Sequence, residues 1–539
     1  MYNIYCIFNV EFYPCECCVF KIQFAYLTAT LFNPPNIRHK TIYMKKIISC
    51  LFASAVFASI SSCNNPATVK EQSTSKTETK TTEIIVSTKS TAAAAAFAEG
   101  LAAFDLLNIK KARAAFTEAI KQDPNLGIAY LYRANTSTSA KEYADDVKAG
   151  NSKLDSASNW EKMYGEYLAT NLSGDRTKGM EVLQKIAAAY PDAARVQNEV
   201  GNGYQGNNEF GKAREAFQKV VQLNPTWVGG YASLVNSYLF SDPKDSKKAE
   251  ENAMKLTELA PASAGSQILL GDCYRAQNDF GKAKIAYTKA VGLDSVAPEG
   301  YYKLGHANTY LGNFDEARKN YAQGGKNDMT KSPAVLNIAN SYLYQSNAAA
   351  AMKTLMTAAT AADSSATNDK SNYYNTCATI AIHNGDAATL KKLIPMITPL
   401  SDKIENDLGT AEAKIFGAAE KLNWASLTAY MDGKYDEAKA KAEEMKTVIN
   451  PIKDDRKLEN YHNLLGMICM KQKNYADAIM HFEKSDPNSI YNKYWLAKAN
   501  EAAGNKDKAQ AIYKEVAAYN FNDVGNALVR AEVKKKFAM

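Results

Sequence analysis

One stretch of the chain has the spacing of a phosphate-binding loop. Residues 206–213 read GNNEFGKA, so four residues separate Gly206 from Gly211-Lys212. Such a loop needs glycines for close backbone approach, a lysine for the phosphates and a Ser or Thr for the metal ion. Ala213 replaces that Ser or Thr, and a helical pattern rather than a buried strand precedes the stretch. The sequence therefore predicts no nucleotide site here.

The histidines and cysteines have no spacing that predicts catalysis or metal binding. Beyond the N-terminal region the histidines are His306, His383, His462 and His481. No two of them share a helix face at i, i+4, and neither a paired-cysteine motif nor a G-x-S-x-G stretch is present. The widely spaced Cys273, Cys377 and Cys469 are typical of buried thiols. We therefore predict no catalytic residue, no metal, no cofactor and no enzymatic activity.

A row of polar residues recurs at nearly constant spacing. Its members, named here the polar column, are Asn202, Asn236, Asp272, His306 and Asn340, with steps of 34, 36, 34 and 34 residues. Amide, carboxylate and imidazole groups in a row can exchange hydrogen bonds with an extended peptide. The same projection places Asn198, Tyr302, Asn337 and Tyr344 beside the column. The alternative is that these groups serve only hydrogen bonds between helices.

The elements that position the column follow the same period. Similar lines begin at residues 208 (NEFGKAREAF), 278 (NDFGKAKIAY) and 312 (GNFDEARKNY). A small residue is followed after twelve positions by alanine and after four more by a bulky side chain, in the sets 100-112-116, 201-213-217, 271-283-287, 305-317-321, 339-351-355 and 466-478-482. Two helices cross closely only where side chains are small, and the bulky residue fills the adjacent space. The pattern predicts repeated helical hairpins.

This pattern resembles the tetratricopeptide repeat, L-G-x₂-Y…A-x₃-F…P. The resemblance implies an all-α fold, a right-handed superhelical solenoid of antiparallel helix pairs, in which the polar column faces a concave groove. We expect a first array over 92–362, with 134–192 degenerate, and an irregular helical joint over 363–410. A second array over 411–519 and a C-terminal capping helix over 520–539 complete the prediction.

The N-terminal region predicts export rather than folding. Residues 1–43 lack periodicity and are interpreted as a mis-called upstream extension, because residues 44–62 have the lysines and short apolar run of a signal peptide. The stretch ISSC (60–63) resembles a bacterial lipobox, which implies lipidation at Cys63; an ordinary signal cut nearby is the alternative. Residues 63–91 are rich in Thr, Ser, Lys and Glu, which predicts a disordered linker. The expected location is the bacterial outer membrane, facing the periplasm.

Together these patterns predict a non-enzymatic scaffold or adaptor that is lipid-anchored to the membrane and binds a partner protein or peptide in its groove. A net charge of +7 over 539 residues gives no reason to expect nucleic acid. The alternative is a glycan- or nutrient-binding outer-membrane lipoprotein, which would need an aromatic platform. Its candidates, Trp160, Trp227, Trp424 and Trp495, lie in or beside repeat helices. The sequence identifies neither the partner nor the oligomeric state.

Overall fold

The computed structural model describes residues 86–454 and 456–537. The predicted extension, signal peptide, Cys63 and nearly all of the linker lie outside the described residues. Within the described part the chain forms 25 α-helices and no strand, which confirms the all-α prediction.

The helices are, in chain order, α1 (Thr91–Asp105), α2 (Ile109–Gln122), α3 (Gly127–Ala134), α4 (Ala140–Asn151), α5 (Asn159–Ser173), α6 (Arg176–Ala189), α7 (Ala194–Gly206), α8 (Phe210–Leu223), α9 (Val228–Phe240), α10 (Ser246–Leu259), α11 (Ala264–Ala276), α12 (Phe280–Leu293), α13 (Pro298–Tyr310), α14 (Phe314–Asn327), α15 (Ser332–Tyr344), α16 (Ala348–Ala361), α17 (Thr367–Asn384), α18 (Ala387–Leu408), α19 (Ala411–Met431), α20 (Tyr435–Ile449), α21 (Glu459–Lys471), α22 (Tyr475–Glu483), α23 (Ile490–Ala502), α24 (Lys506–Ala518) and α25 (Val524–Lys536).

Helices α1 to α24 pair into successive hairpins. Each second helix packs against its own first helix and against the first helix of the next hairpin, and several neighbouring first helices also touch, as α9 touches α11. The stack continues through α17 and α18, which occupy the predicted joint over 363–410. A single hairpin would leave an apolar face exposed, so each depends on its neighbours for burial. The fold is a tetratricopeptide-like solenoid, as predicted.

Small residues allow the two helices of a hairpin to cross closely. A Cβ atom added to Gly305 of α13 would overlap the ring of Tyr321 on α14, and Gly271 stands in the same relation to Tyr287. Ala317 and the Tyr321 ring are fully buried at this crossing. The glycine, the alanine and the ring therefore act as one packing unit that recurs along the chain.

The stretch that mimics a phosphate-binding loop is a turn between two helices. Gly206 ends α7, and Asn208 adopts the left-handed conformation with φ 59° before α8 begins at Phe210. Lys212 extends into solvent and pairs with Glu209. Asn278 (φ 63°) and Gly312 (φ 80°) occupy the equivalent turns. The recurrence of this stretch thus reflects the turn that every such hairpin needs.

Helices far apart in sequence also meet. Asn368, near the start of α17, donates its side-chain amide to the carbonyl of Thr138 at 2.9 Å. Ile404 and Leu408 of α18 share a buried cluster with Ala140 of α4. Helix α25 packs on α23 and α24, and also on α15 and α17. The last helix therefore covers the end of the array on one side and contacts its middle on the other.

Candidate functional site

The polar column lies on the first helices of five consecutive hairpins. Asn202 is on α7, Asn236 on α9, Asp272 on α11, His306 on α13 and Asn340 on α15. All are buried except Asn202, which is half-buried. The 34-residue period therefore brings these side chains into one row, and the row lies inside the molecule rather than in solvent.

Asp272 is a charged group held inside the row by cations. Its carboxylate lies 2.9 Å from Lys303 Nζ and 2.9 Å from Arg275 Nη2, and it accepts a hydrogen bond from the Tyr287 hydroxyl at 2.6 Å. Burial alone would raise the pKa of Asp272, but the two cations and the hydroxyl outweigh it, so the pKa is lowered. Nearby cations and a hydrogen-bond donor stabilise the ionised form of a buried carboxylate.

His306 is the titratable base of the row, and its surroundings favour the neutral form. Burial, reinforced by the positive charges of Arg275 and Lys303, lowers the pKa of His306 well below its usual value. Its Nδ1 lies 3.0 Å from the Tyr321 hydroxyl of its own hairpin. The same Nδ1 lies 3.1 Å from the side-chain amide nitrogen of Asn522, which belongs to the connection between α24 and α25.

The C-terminal segment, defined here as residues 519–530, occupies the surface beside the column. Asn522 donates its side-chain amide to Asn337 Oδ1 of α15 at 2.7 Å. One helical turn further on, Asn526 donates to the hydroxyls of Tyr310 and Tyr344, each at 3.1 Å. Two asparagines thus bind groups from α13 and α15.

Phe521 of the segment lies against the two preceding hairpins. Phe521 is buried, with the guanidinium carbon of Arg275 4.5 Å from its ring centroid and the Phe240 ring at 4.9 Å. Asn520 donates to the carbonyl of Ala276 at 3.1 Å and lies 3.3 Å from Asn278 Oδ1. A cation facing an aromatic ring at this distance is attracted to it.

The other end of the described chain meets the earlier hairpins. Asp105, at the end of α1, accepts two hydrogen bonds from Arg195 of α7, at 2.9 and 2.5 Å. It also accepts one from Trp227 Nε1 at 2.8 Å. A Cβ atom on Gly265 of α11 would overlap the Leu106 carbonyl, so only glycine allows this approach. The turn between α1 and α2 therefore rests on α7, α9 and α11.

The predicted site residues fall into three groups. His306, Asn337 and Tyr344 contact the C-terminal segment directly. Three others bond within the array: Asp272 as described, Asn202 to Glu199 at 3.4 Å, and Tyr302 to Asp328 at 2.6 Å. Asn198, Asn236 and Asn340 are buried, and the side-chain oxygens of Asn198 and Asn340 have no hydrogen-bond partner. Binding of an external ligand by these nine residues stays a prediction.

Sequence reasoning missed Tyr310 and Arg275 on this surface. Tyr310 precedes Tyr344 by 34 residues, so the same projection that gave Tyr344 could have found it. Arg275 follows Asp272 by three residues, one helical turn along α11. The run NFND over 520–523, with two asparagines around an aromatic residue, was the available signal for the segment itself.

The described residues give little support to three other features: a metal site, a membrane-crossing helix and an aromatic platform for a sugar. Over the described ranges 86–454 and 456–537, no group of three or more His, Cys, Asp or Glu side chains is arranged to hold a metal ion. Within the same ranges, no helix combines the length and apolar character needed to cross a membrane. Trp160 and Trp424 are each 3% exposed, so neither ring offers a face to a sugar.

Comparisons with known proteins match parts of the chain. Tetratricopeptide-repeat family models match residues 97–159, 264–296, 298–324 and 491–520. The sequence of MamA, known from a crystal structure, is 25% identical to this one; the match covers 29% of this chain and 89% of the MamA chain, with a TM-score of 0.24. YrrB, titled a TPR protein with an unusual peptide-binding site, is 21% identical over 33% of this chain and 91% of its own, with a TM-score of 0.25. MamA from Desulfovibrio magneticus RS-1 is 20% identical over 31% of this chain and 94% of its own, with a TM-score of 0.27. The chain therefore carries tetratricopeptide repeats at the matched residues, within a tetratricopeptide-like helical solenoid.

Proposed function

We propose that this protein is a non-enzymatic scaffold that binds an extended segment of a partner protein on the surface beside the polar column. One observation carries the proposal. Residues 519–523, which adopt no helix or strand, lie on this surface, and their side chains bond to groups from three successive hairpins. The surface is therefore built to hold a non-helical polypeptide through its side chains.

The chemistry of the surface suits recognition more than packing alone. Its contacts with residues 519–526 combine amide pairs, two tyrosine hydroxyls and a guanidinium facing a ring. Buried polar groups discriminate strongly between ligands, because a ligand that lacks the matching donor leaves them unpaired. A surface that served only to bury the last helix could be apolar throughout.

We also propose that the scaffold is tethered to the bacterial outer membrane, facing the periplasm, by a lipid on Cys63. The lipobox-like ISSC stretch and the signal-like run before it support the tether. Ser87 donates its backbone amide to Glu161 Oε1 at 3.2 Å and α1 begins at Thr91, so the tether would consist of residues 63–85. A flexible coil of that length would span roughly 25 Å, enough to hold the solenoid clear of the headgroups. Replacing Cys63 by Ala should release the protein from the membrane fraction and abolish incorporation of labelled palmitate; unchanged fractionation would refute the tether.

Site-specific photocrosslinking in membranes tests the scaffold. A benzoylphenylalanine at Tyr344 lies on the proposed surface, whereas one at Ile285, 71% exposed on α12, serves as the matched control. The expected result is a crosslink to a second protein from position 344 that position 285 does not give. A position-344 probe that crosslinks only within its own chain would contradict the proposal.

A further inference from the structure

The C-terminal segment contacts the array as a ligand contacts a receptor. Its partners on α11, α13 and α15 lie 182 to 244 residues earlier in the chain. Asn520, Phe521, Asn522 and Asn526 each contribute a side chain, and Asp523 caps α25 by accepting from the Asn526 backbone amide at 2.7 Å. The bound element is thus an amide–aromatic–amide run that leads directly into a helix.

We infer that this segment is an internal ligand that occupies the partner-binding surface, and that the partner is a protein segment of the same chemistry that binds by displacing it. The expected partner sequence has an aromatic residue between two asparagines and an aspartate that begins a helix. The inference rests on the proposed function and specifies its ligand.

The polar character of the contact makes such displacement physically reasonable. The side-chain oxygen of Asn522 and the Nε of Arg275 are buried without a hydrogen-bond partner, and Asn340 Oδ1, one helical turn from Asn337, is in the same state. An unsatisfied buried polar atom costs about 1–3 kcal/mol. Displacement would return the Asn522 oxygen, which belongs to the segment itself, to water, and a partner segment that satisfies Arg275 Nε or Asn340 Oδ1 would gain free energy that the internal segment does not provide.

The second half of α25, from Val529 onward, can remain in place while residues 519–527 of the segment leave. Val529 and Val533 belong to a buried cluster with Tyr494 of α23 and Tyr513 of α24. Val524 and Ala527, in the first half, belong instead to the cluster that contains Leu336 and Ala339 of α15. The helix thus has two faces with different partners, and displacement separates only the face toward α15.

The segment is covalently joined to the array, and this attachment gives it an advantage over a free peptide that competes for the same surface. A segment joined by a short connection acts at an effective concentration in the millimolar range. A free peptide of the same sequence should therefore bind the wild-type protein weakly. It should bind much more tightly once the internal copy is weakened.

The test measures the anisotropy of a fluorescein-labelled peptide spanning residues 516–530, added to the full chain in detergent. In the Phe521→Ala/Asn522→Ala protein we expect at least tenfold tighter binding than in wild type. A further Asn337→Ala change should reduce that affinity at least tenfold. The matched control, Asn202→Ala, alters a half-buried column residue outside the contact and should change it less than twofold. If the doubly substituted protein keeps its helical circular dichroism and binds no tighter than wild type, the inference is wrong.

A second measurement needs no substitution in the protein. Hydrogen exchange of residues 519–526 in the wild-type chain should accelerate at least threefold when ¹⁵N-labelled 516–530 peptide is added, the isotope separating its fragments from those of the protein. Unchanged exchange at a peptide concentration that, by anisotropy, occupies most of the wild-type protein would overturn the inference. A crosslinked partner at position 344 together with an inert peptide would reject this ligand but not the scaffold. An active peptide with no partner in membranes would reject the scaffold and its partner, and would leave only the displaceable internal segment.

Discussion

Asn522 donates its side-chain amide to Nδ1 of His306 across 3.1 Å, although 216 residues separate them in the chain. An imidazole that accepts at Nδ1 is unprotonated there and carries its ring proton at Nε2. Burial and the charges of Arg275 and Lys303 lower the pKa of His306 well below its usual value, which favours this neutral form. One of the contacts between segment and array, that of Asn522 with His306, therefore depends on the protonation state of a buried side chain.

His306 should make the solenoid less stable in acid. An unfolded histidine has a pKa of about 6.5, and the folded pKa of His306 is lower, so the unfolded chain binds the proton first. The stability that His306 contributes is complete above about pH 6.5 and is lost as the pH falls toward the folded pKa. Urea unfolding should show that the destabilisation caused by His306→Gln shrinks by roughly 1–2 kcal/mol between pH 7.5 and pH 5. The other histidines are common to both proteins, so their effects cancel. A pH-independent difference would contradict the prediction.

Glycine should be required at the helix crossings and dispensable in the loop-like stretch. A Cβ atom at Gly305 would overlap the Tyr321 ring, so Gly305→Ala should destabilise by about 1–3 kcal/mol. Gly211 lies in α8 with nothing within 4 Å of an added Cβ, so Gly211→Ala should be neutral or stabilise by up to about 1 kcal/mol. Urea midpoints of the two variants measure both effects. Equal destabilisation would refute the crossing argument.

Leu107 should stabilise the fold through burial of its side chain, although its backbone conformation is unfavourable. It adopts φ 66°, where the equivalent turns carry Asn208, Asn278 or Gly312, and it lies in the buried cluster that contains Val235 and Leu269. Burying a leucine side chain stabilises by about 1.5–3 kcal/mol. This exceeds the free energy gained when a residue that tolerates positive φ replaces Leu107. Leu107→Asn should therefore destabilise by about 1–2 kcal/mol in urea unfolding.

Lys473 provides the matched control for Leu107. It has φ 62° in the α21–α22 turn but is exposed. Lys473→Gly should be neutral or stabilise by up to about 1 kcal/mol, because it relieves the backbone without losing burial. If Leu107→Asn also proved neutral, the side chain would not be supporting the contact between the first hairpin and the array.

The sequence predicted the hairpins because their determinants are local. Gly305, Ala317 and Tyr321 lie within one hairpin, so a single period exposes them. The row of Asp272 and His306 followed from the same period. The contact of Asn522 with His306 did not, because it depends on small rotations that accumulate over many repeats and bring distant hairpins together.

The ion pair between Asp105 and Arg195 should fix the first hairpin on the later ones. The side chains are 8% and 14% exposed, and Trp227 donates to the same carboxylate. Asp105→Ala would leave the Arg195 guanidinium buried without its counter-ion, a change that costs about 3–5 kcal/mol where both groups stay buried. Because α2 still packs on α3, the loss should appear first as faster hydrogen exchange of residues 105–110, ahead of global unfolding.

The exposed ion pair between Lys111 and Glu99, on the same hairpin, is the control that distinguishes an effect of charge from an effect of burial. Their side chains are 57% and 60% exposed, so Glu99→Ala should leave exchange of residues 105–110 unchanged. Exchange that accelerates equally in the Asp105 and Glu99 variants would mean that the hairpin responds to its net charge. Faster exchange in the Asp105 variant alone would assign the attachment to the buried contact among Asp105, Arg195 and Trp227.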